Sequence, residues 1–197
     1  MNPWESCALD YRFSNDGKST RSPVPDYPSD DSDDTSNPLI YPGLYCPSGL
    51  DMMTVLLRIY ARPNAQIHLG PIDCSVALIV CDLAQPDNPI VYASDPFLQM
   101  TGYRMHEIQG KNCRFLQEPG GNVKPKSARK YVDNSTIRGM RDAIKANVEH
   151  QTTITNFTKD GKPFVNLLTL IPITWDTPDF RYSVGFQCDK ASLARAA

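Results

Sequence analysis

The sequence predicts an α+β domain built on an antiparallel sheet, and three observations support this fold class. Helical patterns cluster between an early group and a late group of strand patterns. The two longest strand patterns, residues 152–157 and 164–174, flank residues 159–162 (Lys-Asp-Gly-Lys), and Asp-Gly between such runs is a strong hairpin signal. At 197 residues the chain is long enough for one domain with a full core and appended segments.

Composition favours a soluble intracellular protein. A net charge of −2 gives no reason to expect direct binding to nucleic acid or to an anionic membrane. No apolar run reaches membrane-spanning length, and the first residues lack the basic start and apolar core of a signal peptide. The six cysteines are scattered without Cys-x-x-Cys spacing, so we expect free thiols and no metal site. The expected location is cytoplasmic and/or nuclear.

Two segments precede the predicted domain. Residues 1–38 are rich in proline, serine and aspartate and lack apolar periodicity, which predicts a disordered acidic tail. Residues 39–72 are predicted to form an N-terminal cap, whose helix runs over residues 50–61 and is stopped by Pro63. The i, i+3, i+4, i+7 spacing predicts one apolar stripe along this helix: Met53, Leu56, Leu57 and Tyr60.

The first strand of the domain, residues 75–82, is apolar on both faces. Ile79 and Cys81 alternate with a second apolar set formed by Val76, Leu78 and Val80. A strand of this kind must be covered on both sides. The domain interior covers one side, and we expect the stripe of the cap helix to cover the other.

The remaining elements follow in order. Residues 89–93 predict a second strand, and Ser94 or Asp95 is expected to cap the helix after it. Short helical turns lead to Cys113, and a loop spans residues 118–133.

A longer helix follows this loop and is expected to be capped by Asn134 or Ser135. Its predicted apolar face consists of Ile137, Met140, Ile144 and Val148. Residues 182–188 predict the last strand, and residues 191–197 are expected to form a tail.

Residues 110–117 (Gly-Lys-Asn-Cys-Arg-Phe-Leu-Gln) place one thiol beside a cation, where thiols become reactive. A single cysteine would more often be a small buried thiol. The whole octapeptide, however, resembles the signature of the light-oxygen-voltage (LOV) subfamily of PAS domains. Further matching positions are residues 88–94, Phe97, residues 100–103, Asn156, Asn166 and residues 185–187.

The resemblance extends from about residue 73 to residue 189, and it is strongest to the small fungal photoreceptors Vivid and Envoy, with Envoy the nearer. It implies a PAS/LOV domain over residues 73–190 with a five-stranded antiparallel sheet and helices on one face. The predicted cap would then lie on the opposite face.

Strand alternation places three amide side chains on one face of the predicted sheet: Asn156, Asn166 and Gln187. A buried amide group left unpaired costs about 1–3 kcal/mol. The three can pair with one another or with the backbone. Their convergence favours a ligand with a polar edge, and a flavin ring has such an edge opposite an apolar end.

The resemblance implies the chemistry of this site. Blue light would drive a reversible bond between the Cys113 sulfur and flavin C4a while flavin N5 gains a proton. Gln187, which can both donate and accept, would reorient and shift the cap. Asn156 and Asn166 would bind the pyrimidine edge. The other implied flavin contacts and lining residues are Asn112, Gln117, Ile79, Ile90, Met140, Leu168, Leu170 and Gly185.

FAD is the predicted cofactor, with FMN as the alternative. Arg114 and Arg141 match the two arginines that grip the ribityl phosphate in the family. The loop over residues 118–133 is about ten residues longer than in plant-type members, and in the Vivid-like group it houses the adenine end of FAD. Its cations are either phosphate contacts or a solvated basic loop: Lys124, Lys126, Arg129 and Lys130.

The predicted output is a change of partner. The resemblance implies a light-dependent homodimer and pairing with other PAS or LOV transcription regulators, without enzymatic turnover, since no acid–base pair accompanies Cys113. One rival function is a thiol or flavin redox sensor that uses Cys74, at the predicted hinge between cap and domain, or Cys46. The other rival is a light-blind PAS interaction module.

Overall fold

The computed structural model describes residues 50–175 and 178–192. The predicted tail (1–38), the first part of the predicted cap (39–49, including Cys46) and residues 193–197 lie outside the described residues.

The described chain folds around one five-stranded antiparallel sheet with strand order β2-β1-β5-β4-β3. The strands are β1 (Ala77–Asp82), β2 (Ile90–Ala93), β3 (His150–Phe157), β4 (Pro163–Thr174) and β5 (Phe180–Asp189). The helices are α1 (Met52–Tyr60), α2 (Asp95–Thr101), α3 (Met105–Ile108) and α4 (Asn134–Ala146), with a 3₁₀ helix at Cys113–Gln117. The predicted α+β PAS/LOV fold is therefore confirmed, and the last strand lies beside the first.

The β3–β4 hairpin closes where Asp-Gly predicted it. Gly161 adopts φ 81°, which glycine reaches without steric cost. The Thr158 amide donates to the Lys162 carbonyl over 2.9 Å, which closes the turn.

Two helix caps join the helices to their surroundings. The Ser94 hydroxyl caps α2, accepts from the Leu78 amide at 2.9 Å and donates to the Val76 carbonyl at 2.9 Å. The predicted cap of α4 was one or two residues too late. Asp133 is the cap, because its carboxylate accepts from the Ser135 amide at 2.9 Å.

The predicted apolar face of α4 included one residue too many, Val148. Met140 is buried, whereas Val148 is 41% exposed. Asn147, with φ 52°, ends the helix in the left-handed conformation before Val148 is reached.

The two faces of β1 serve two separate cores, as its alternation predicted. Ile79 and Cys81 pack into the inner cluster beneath α2, α3 and the 3₁₀ helix. Leu78 and Val80 pack into the outer cluster together with α1. The α1 helix therefore covers the face of the sheet opposite the other helices.

The predicted stripe of α1 was wrong by one position. The buried residues are Met52, Val55, Leu56 and Ile59. Of the predicted stripe only Leu56 is buried, and Met53, Leu57 and Tyr60 are 48%, 61% and 57% exposed. Both sets have i, i+3, i+4, i+7 spacing, because α1 is apolar almost all round, so periodicity did not distinguish them.

Contacts at the end of α1 select the observed rotation. Arg58 donates to the Thr174 carbonyl at 3.2 Å, and its guanidinium lies 4.6 Å from the centre of the Trp175 ring. Both contacts turn one side of α1 towards the end of β4.

The segment after α1 is attached to the core by one ion pair. The Glu149 carboxylate, whose side chain is 9% exposed, accepts from Arg62 Nε at 2.6 Å and from the amides of Gln66 and Ile67 at 3.0 and 2.7 Å. Arg62 in turn donates to the Ile59 and Ile67 carbonyls. Glu149 lies between α4 and β3, so this cluster joins the cap to the core.

Candidate functional site

The short 3₁₀ helix holds Cys113 against the edge of the sheet. Gly110 donates its amide to the Ile90 carbonyl at 2.9 Å, and the Ile90 amide donates to the Lys111 carbonyl at 2.8 Å. Asn112 then caps the helix, because its side-chain oxygen accepts from the Arg114 amide at 3.0 Å. The chain thus turns immediately before Cys113, and the Cys113 side chain packs into the inner cluster.

The chemical state of Cys113 is set by a second thiol. A hydrogen bond with Cys81 lowers the pKa of Cys113, burial opposes this, and the charge of Arg114 lowers it further. The same hydrogen bond, together with burial, raises the pKa of Cys81 well above its ordinary value. Cys81 is therefore the donor, and Cys113 is the thiol closer to ionisation.

The sequence placed Cys81 on the inner face with Ile79 but gave it no role at the site. The only available signal was this shared strand phase, and it could not show that Cys113 would be the neighbour.

The three predicted amides meet on the inner face of the sheet. Asn156, Asn166 and Gln187 are 3%, 0% and 5% exposed. The Asn166 Nδ2 group donates to Asn156 Oδ1 at 2.9 Å and to Gln187 Oε1 at 2.8 Å. The Cys188 amide donates to Asn166 Oδ1 at 3.1 Å. Asn166 is thus the centre of a connected amide cluster.

The amide cluster is bonded to the helix that carries the thiol. Asn156 Nδ2 donates to the Leu116 carbonyl at 3.2 Å and to the Thr155 carbonyl at 3.1 Å. Within the described residues, the Gln187 Nε2 group has no hydrogen-bond acceptor. Mutual pairing therefore uses most of the cluster's polar groups and leaves this donor free.

Apolar side chains gather around Gly185. A Cβ built at this position would lie 3.3 Å from Ile79 Cγ1, 3.6 Å from Leu168 Cδ1 and 3.6 Å from Leu170 Cδ2. The absence of a side chain lets three predicted lining residues approach the strand. Met140 packs against Leu168 in the neighbouring cluster, and Ile90 belongs to the inner cluster with Ile79.

Arg114 pairs with Asp87 in the loop between β1 and β2. One guanidinium nitrogen lies 2.5 Å from Asp87 Oδ2, and another contacts Oδ1, in a bidentate arrangement. The hydrogen bond from Arg114 lowers the pKa of Asp87, burial opposes this, and the charge of Arg114 lowers the pKa further. Asn112 Nδ2 also donates to the Asp87 carbonyl, so this loop is tied to the Cys113 helix.

Arg129 connects the long loop, residues 118–133, to the site. Its Nε donates to Gln117 Oε1 at 2.9 Å. Burial lowers the pKa of Arg129, and the nearby charges of Arg114 and Arg141 lower it further, while Glu118 raises it. Arg129 therefore lies within electrostatic reach of Arg114 and Arg141.

The other three loop cations, Lys124, Lys126 and Lys130, are exposed. The Lys130 ammonium lies 5.3 Å from the centre of the Tyr131 ring. Among the four cations predicted in the loop, Arg129 donates to the predicted flavin contact Gln117, and it also donates to the Lys124 carbonyl at 3.2 Å.

In residues 50–175 and 178–192 there is no group of three or more His, Cys, Asp or Glu side chains placed to hold a metal ion. Over the same residues no helix has the length and apolar character needed to span a bilayer.

Comparison with known proteins identifies relatives among light receptors. A family model described as a PAS domain matches residues 75–189. The chain is 42% identical over 170 residues to "Blue light receptor lreA" of Aspergillus flavus and 46% identical over 146 residues to "White collar 1 protein" of Neurospora crassa. These matches cover 86% and 74% of the chain, but only 20% and 12% of the relatives' lengths.

Solved structures of small fungal receptors match over nearly their whole length. The photo-excited blue-light photoreceptor Vivid is 58% identical, with a TM-score of 0.71 over 74% of this chain and 99% of Vivid. The light-state dimer of Vivid is 57% identical, with a TM-score of 0.69 over 74% and 99% of the two chains.

A second receptor, a fungal LOV domain photoreceptor described in a pathway that integrates blue light and oxidative stress, is 46% identical. Its TM-score is 0.62 over 75% of this chain and 97% of that one. None of these comparisons names Envoy, so the expectation that Envoy is the nearest relative stays a prediction.

Proposed function

Because this chain belongs to the PAS domain family, and within it to the LOV photoreceptors of the Vivid group, we propose that it senses blue light through the thiol of Cys113. One observation carries the proposal. Cys113 lies in the inner cluster on a helix that is hydrogen-bonded through Leu116 to the amide cluster. A reactive thiol, apolar walls and polar amides therefore surround one region.

The residues present fit a flavin. The side chains of Ile79, Leu168 and Leu170 gather around Gly185 and form an apolar surface, which suits the face of a flat aromatic ring. The free Gln187 donor suits an acceptor on the ring edge. A flavin bound there would supply the absorption of blue light and, once excited, an electrophilic ring carbon for the thiol.

The phosphate end of the cofactor would be held by arginines. Arg129 is within electrostatic reach of both Arg114 and Arg141, and guanidinium groups bind phosphate oxygens in bidentate pairs. Arg114 would exchange its partner Asp87 for the phosphate or hold both. Arg129 lies on the long loop, and a third guanidinium group would suit the second phosphate of FAD, which favours FAD over FMN.

Cys113 would act as a reversible nucleophile. Its lowered pKa, caused first by the hydrogen bond from Cys81, makes release of the thiol proton easier. The amide of Gln187 would then follow the change in protonation at the ring by turning over, since its two ends have opposite hydrogen-bonding character.

Turning Gln187 would also break its bond to Asn166. The Asn166 Nδ2 donor now faces Gln187 Oε1, and after rotation it would face another donor. Gln187 is paired with Ala77 in the ladder between β1 and β5. The neighbouring Val76 carbonyl accepts from Ser94. A distortion of the pairing between β1 and β5 would therefore pass to Val76 and to the residues before it, which lead to the cap.

We propose that the output is light-dependent self-association and pairing with other PAS or LOV transcription regulators. The protein would then act as a sensor and not as an enzyme. The exposed side of α1 supports this, because Met53, Leu57 and Tyr60 form an apolar surface beside the cap contacts. The similarity to a receptor solved as a light-state dimer is in line with self-association.

Absorption spectra of the purified protein in darkness, after blue light and during recovery test the proposal. We expect visible flavin bands that bleach in light and return in darkness, and bands that do not bleach in Cys113→Ala. A flavin-loaded protein with the same spectrum before and after illumination would refute the photochemical function and leave a light-blind PAS module. Mass analysis of the released cofactor distinguishes FAD from FMN.

The relay is tested with Gln187→Leu. We expect this variant to bleach normally but to lose light-driven dimerisation in size-exclusion chromatography, whereas Phe180→Leu, on the same strand and exposed, should keep both. Light-driven dimerisation that survives in Gln187→Leu would exclude Gln187 as the relay.

A second candidate function is redox sensing. Cys74 is an exposed free thiol shortly before β1, and one similar receptor is described in a pathway that includes oxidative stress. Peroxide would then produce a disulfide-linked dimer in the dark that is absent in Cys74→Ser. A dimer that responds to light but not to peroxide would reject this function.

A further inference from the structure

We propose that Cys81 and Cys113 form an intramolecular disulfide under oxidising conditions. This bond would be a redox modification that withdraws the reactive thiol from the site. The pair is distinct from Cys74, which lies outside the sheet, and the bond would link β1 to the 3₁₀ helix within one chain.

The fold brings these two sulfurs together through three backbone connections. Cys81 is paired with Ile90 across the β1–β2 ladder. Ile90 in turn bonds through its carbonyl to Gly110 and through its amide to Lys111. The chain therefore passes beside Ile90 just two residues before Cys113.

Both side chains point into the same apolar cluster. Cys81 is 8% exposed and belongs to the inner cluster, and Cys113 packs against that cluster. Each thiol is also the largest influence on the pKa of the other, in line with their shared place in this cluster. Over the described residues, Cys74 and Cys188 are the other free cysteines, and neither belongs to this cluster.

The two thiols have the two different roles that disulfide formation requires, one reacting with the oxidant and the other completing the bond. Cys113, the thiol nearer to ionisation and the less buried of the two, would attack one oxygen of a peroxide. The O–O bond breaks, one oxygen leaves as water, and Cys113 becomes a sulfenic acid. The Cys81 sulfur then attacks the Cys113 sulfur, and the oxygen leaves as a second water. Two thiols lose two electrons and two protons, and the peroxide is reduced to two waters.

The consequence for light sensing rests on the proposed function, but the disulfide itself does not. A Cys113 sulfur bonded to Cys81 has no thiol proton to release and no free valence for a flavin. Peroxide would therefore switch off the light response from inside the domain, without a change in oligomeric state.

The test uses the full-length chain as purified, kept in the dark. It is treated with hydrogen peroxide, alkylated in denaturant, digested and analysed by mass spectrometry. We expect a cross-linked peptide pair that contains Cys81 and Cys113, lighter by two hydrogens than the two free peptides and lost on treatment with dithiothreitol. The cross-link should persist in Cys74→Ser and be absent in Cys81→Ser and Cys113→Ser.

Two results would overturn the inference. One is oxidation of Cys113 to sulfinic acid without any cross-link to Cys81, and the other is a dominant disulfide to a different cysteine. Circular dichroism of Cys81→Ser shows whether this variant is folded. Cys81→Ala is a second variant that removes the sulfur that would attack the oxidised Cys113.

A separate measurement distinguishes this inference from the proposed function. If the cross-link forms but blue light bleaches the oxidised and reduced proteins equally, the disulfide stands and Cys113 is not the photochemical thiol.

Discussion

The packing of α1 against the sheet can be tested directly, because one turn of this helix contains a buried and an exposed residue of the same size. Ile59 is 0% exposed and packs in the outer cluster, whereas Leu57 is 61% exposed. We expect Ile59→Ala to destabilise the protein strongly and Leu57→Ala to leave it nearly unchanged.

The magnitude follows from the burial. Truncating a fully buried isoleucine to alanine costs about 2–5 kcal/mol, because transfer free energy is lost and a cavity is left. For a chain of this size about 1 kcal/mol corresponds to roughly 2–4 °C in Tm, so Ile59→Ala should lower Tm by roughly 4–20 °C. Substitution of an exposed residue such as Leu57 should stay within about 0.5 kcal/mol.

Urea unfolding followed by circular dichroism measures both variants, and the fluorescence of Trp175 reports on the outer cluster, against which this residue packs. Equal losses of unfolding free energy in Ile59→Ala and Leu57→Ala would refute the rotation of α1. A larger loss of unfolding free energy in Leu57→Ala than in Ile59→Ala would support the stripe that periodicity predicted.

Three further predictions concern the cap, the amide cluster and pH. Glu149→Gln should weaken the bond to Arg62 and speed proteolysis of the chain next to Arg62, with the sheet intact by circular dichroism; unchanged cleavage would show that the ion pair does not hold the cap. Asn166→Leu should lower the unfolding free energy by about 2–6 kcal/mol, since its two buried partners, Asn156 and Gln187, lose their hydrogen bonds at about 1–3 kcal/mol each; a loss below about 1 kcal/mol would contradict the connected cluster. Arg114 lowers the pKa of Asp87, so the pair stabilises the fold above the unfolded carboxyl pKa of about 3.9 and loses this effect as pH falls through the lower folded value. Because the pair is exposed, the effect should be about 1 kcal/mol or less and absent in Asp87→Asn, and an identical acid transition in both proteins would exclude it.

Local patterns were sufficient for the sheet. Asp-Gly specifies the β3–β4 turn through the backbone preference of Gly161, and the apolar runs on either side need little else to pair. The period of two along each strand also predicted that Asn156, Asn166 and Gln187 share a face, because alternation is a property of the extended backbone itself.

Periodicity failed where more than one solution had the same spacing. Around α1 two apolar stripes fit equally well, and the choice between them depended on Arg58, Thr174 and Trp175. At the start of α4 the cap is Asp133, because its carboxylate reaches the first free amides. The choice around α1 is not encoded within one turn of helix, whereas the cap of α4 is local and was misplaced because Asp133, Asn134 and Ser135 are all good capping residues.

The pattern of residues thus predicted an α+β fold with an antiparallel sheet and the shared face of the amides, and the resemblance to the LOV subfamily added the PAS framework and drew attention to the thiol at Cys113. The three-dimensional packing specified which groups touch: Cys81 with Cys113, Asn156 with Leu116, and Arg129 with Gln117. Most of these partners are far apart along the chain, so their contacts depend on how strands and loops close over one another. Short-range preferences act over a few residues and therefore carry no information about such pairs.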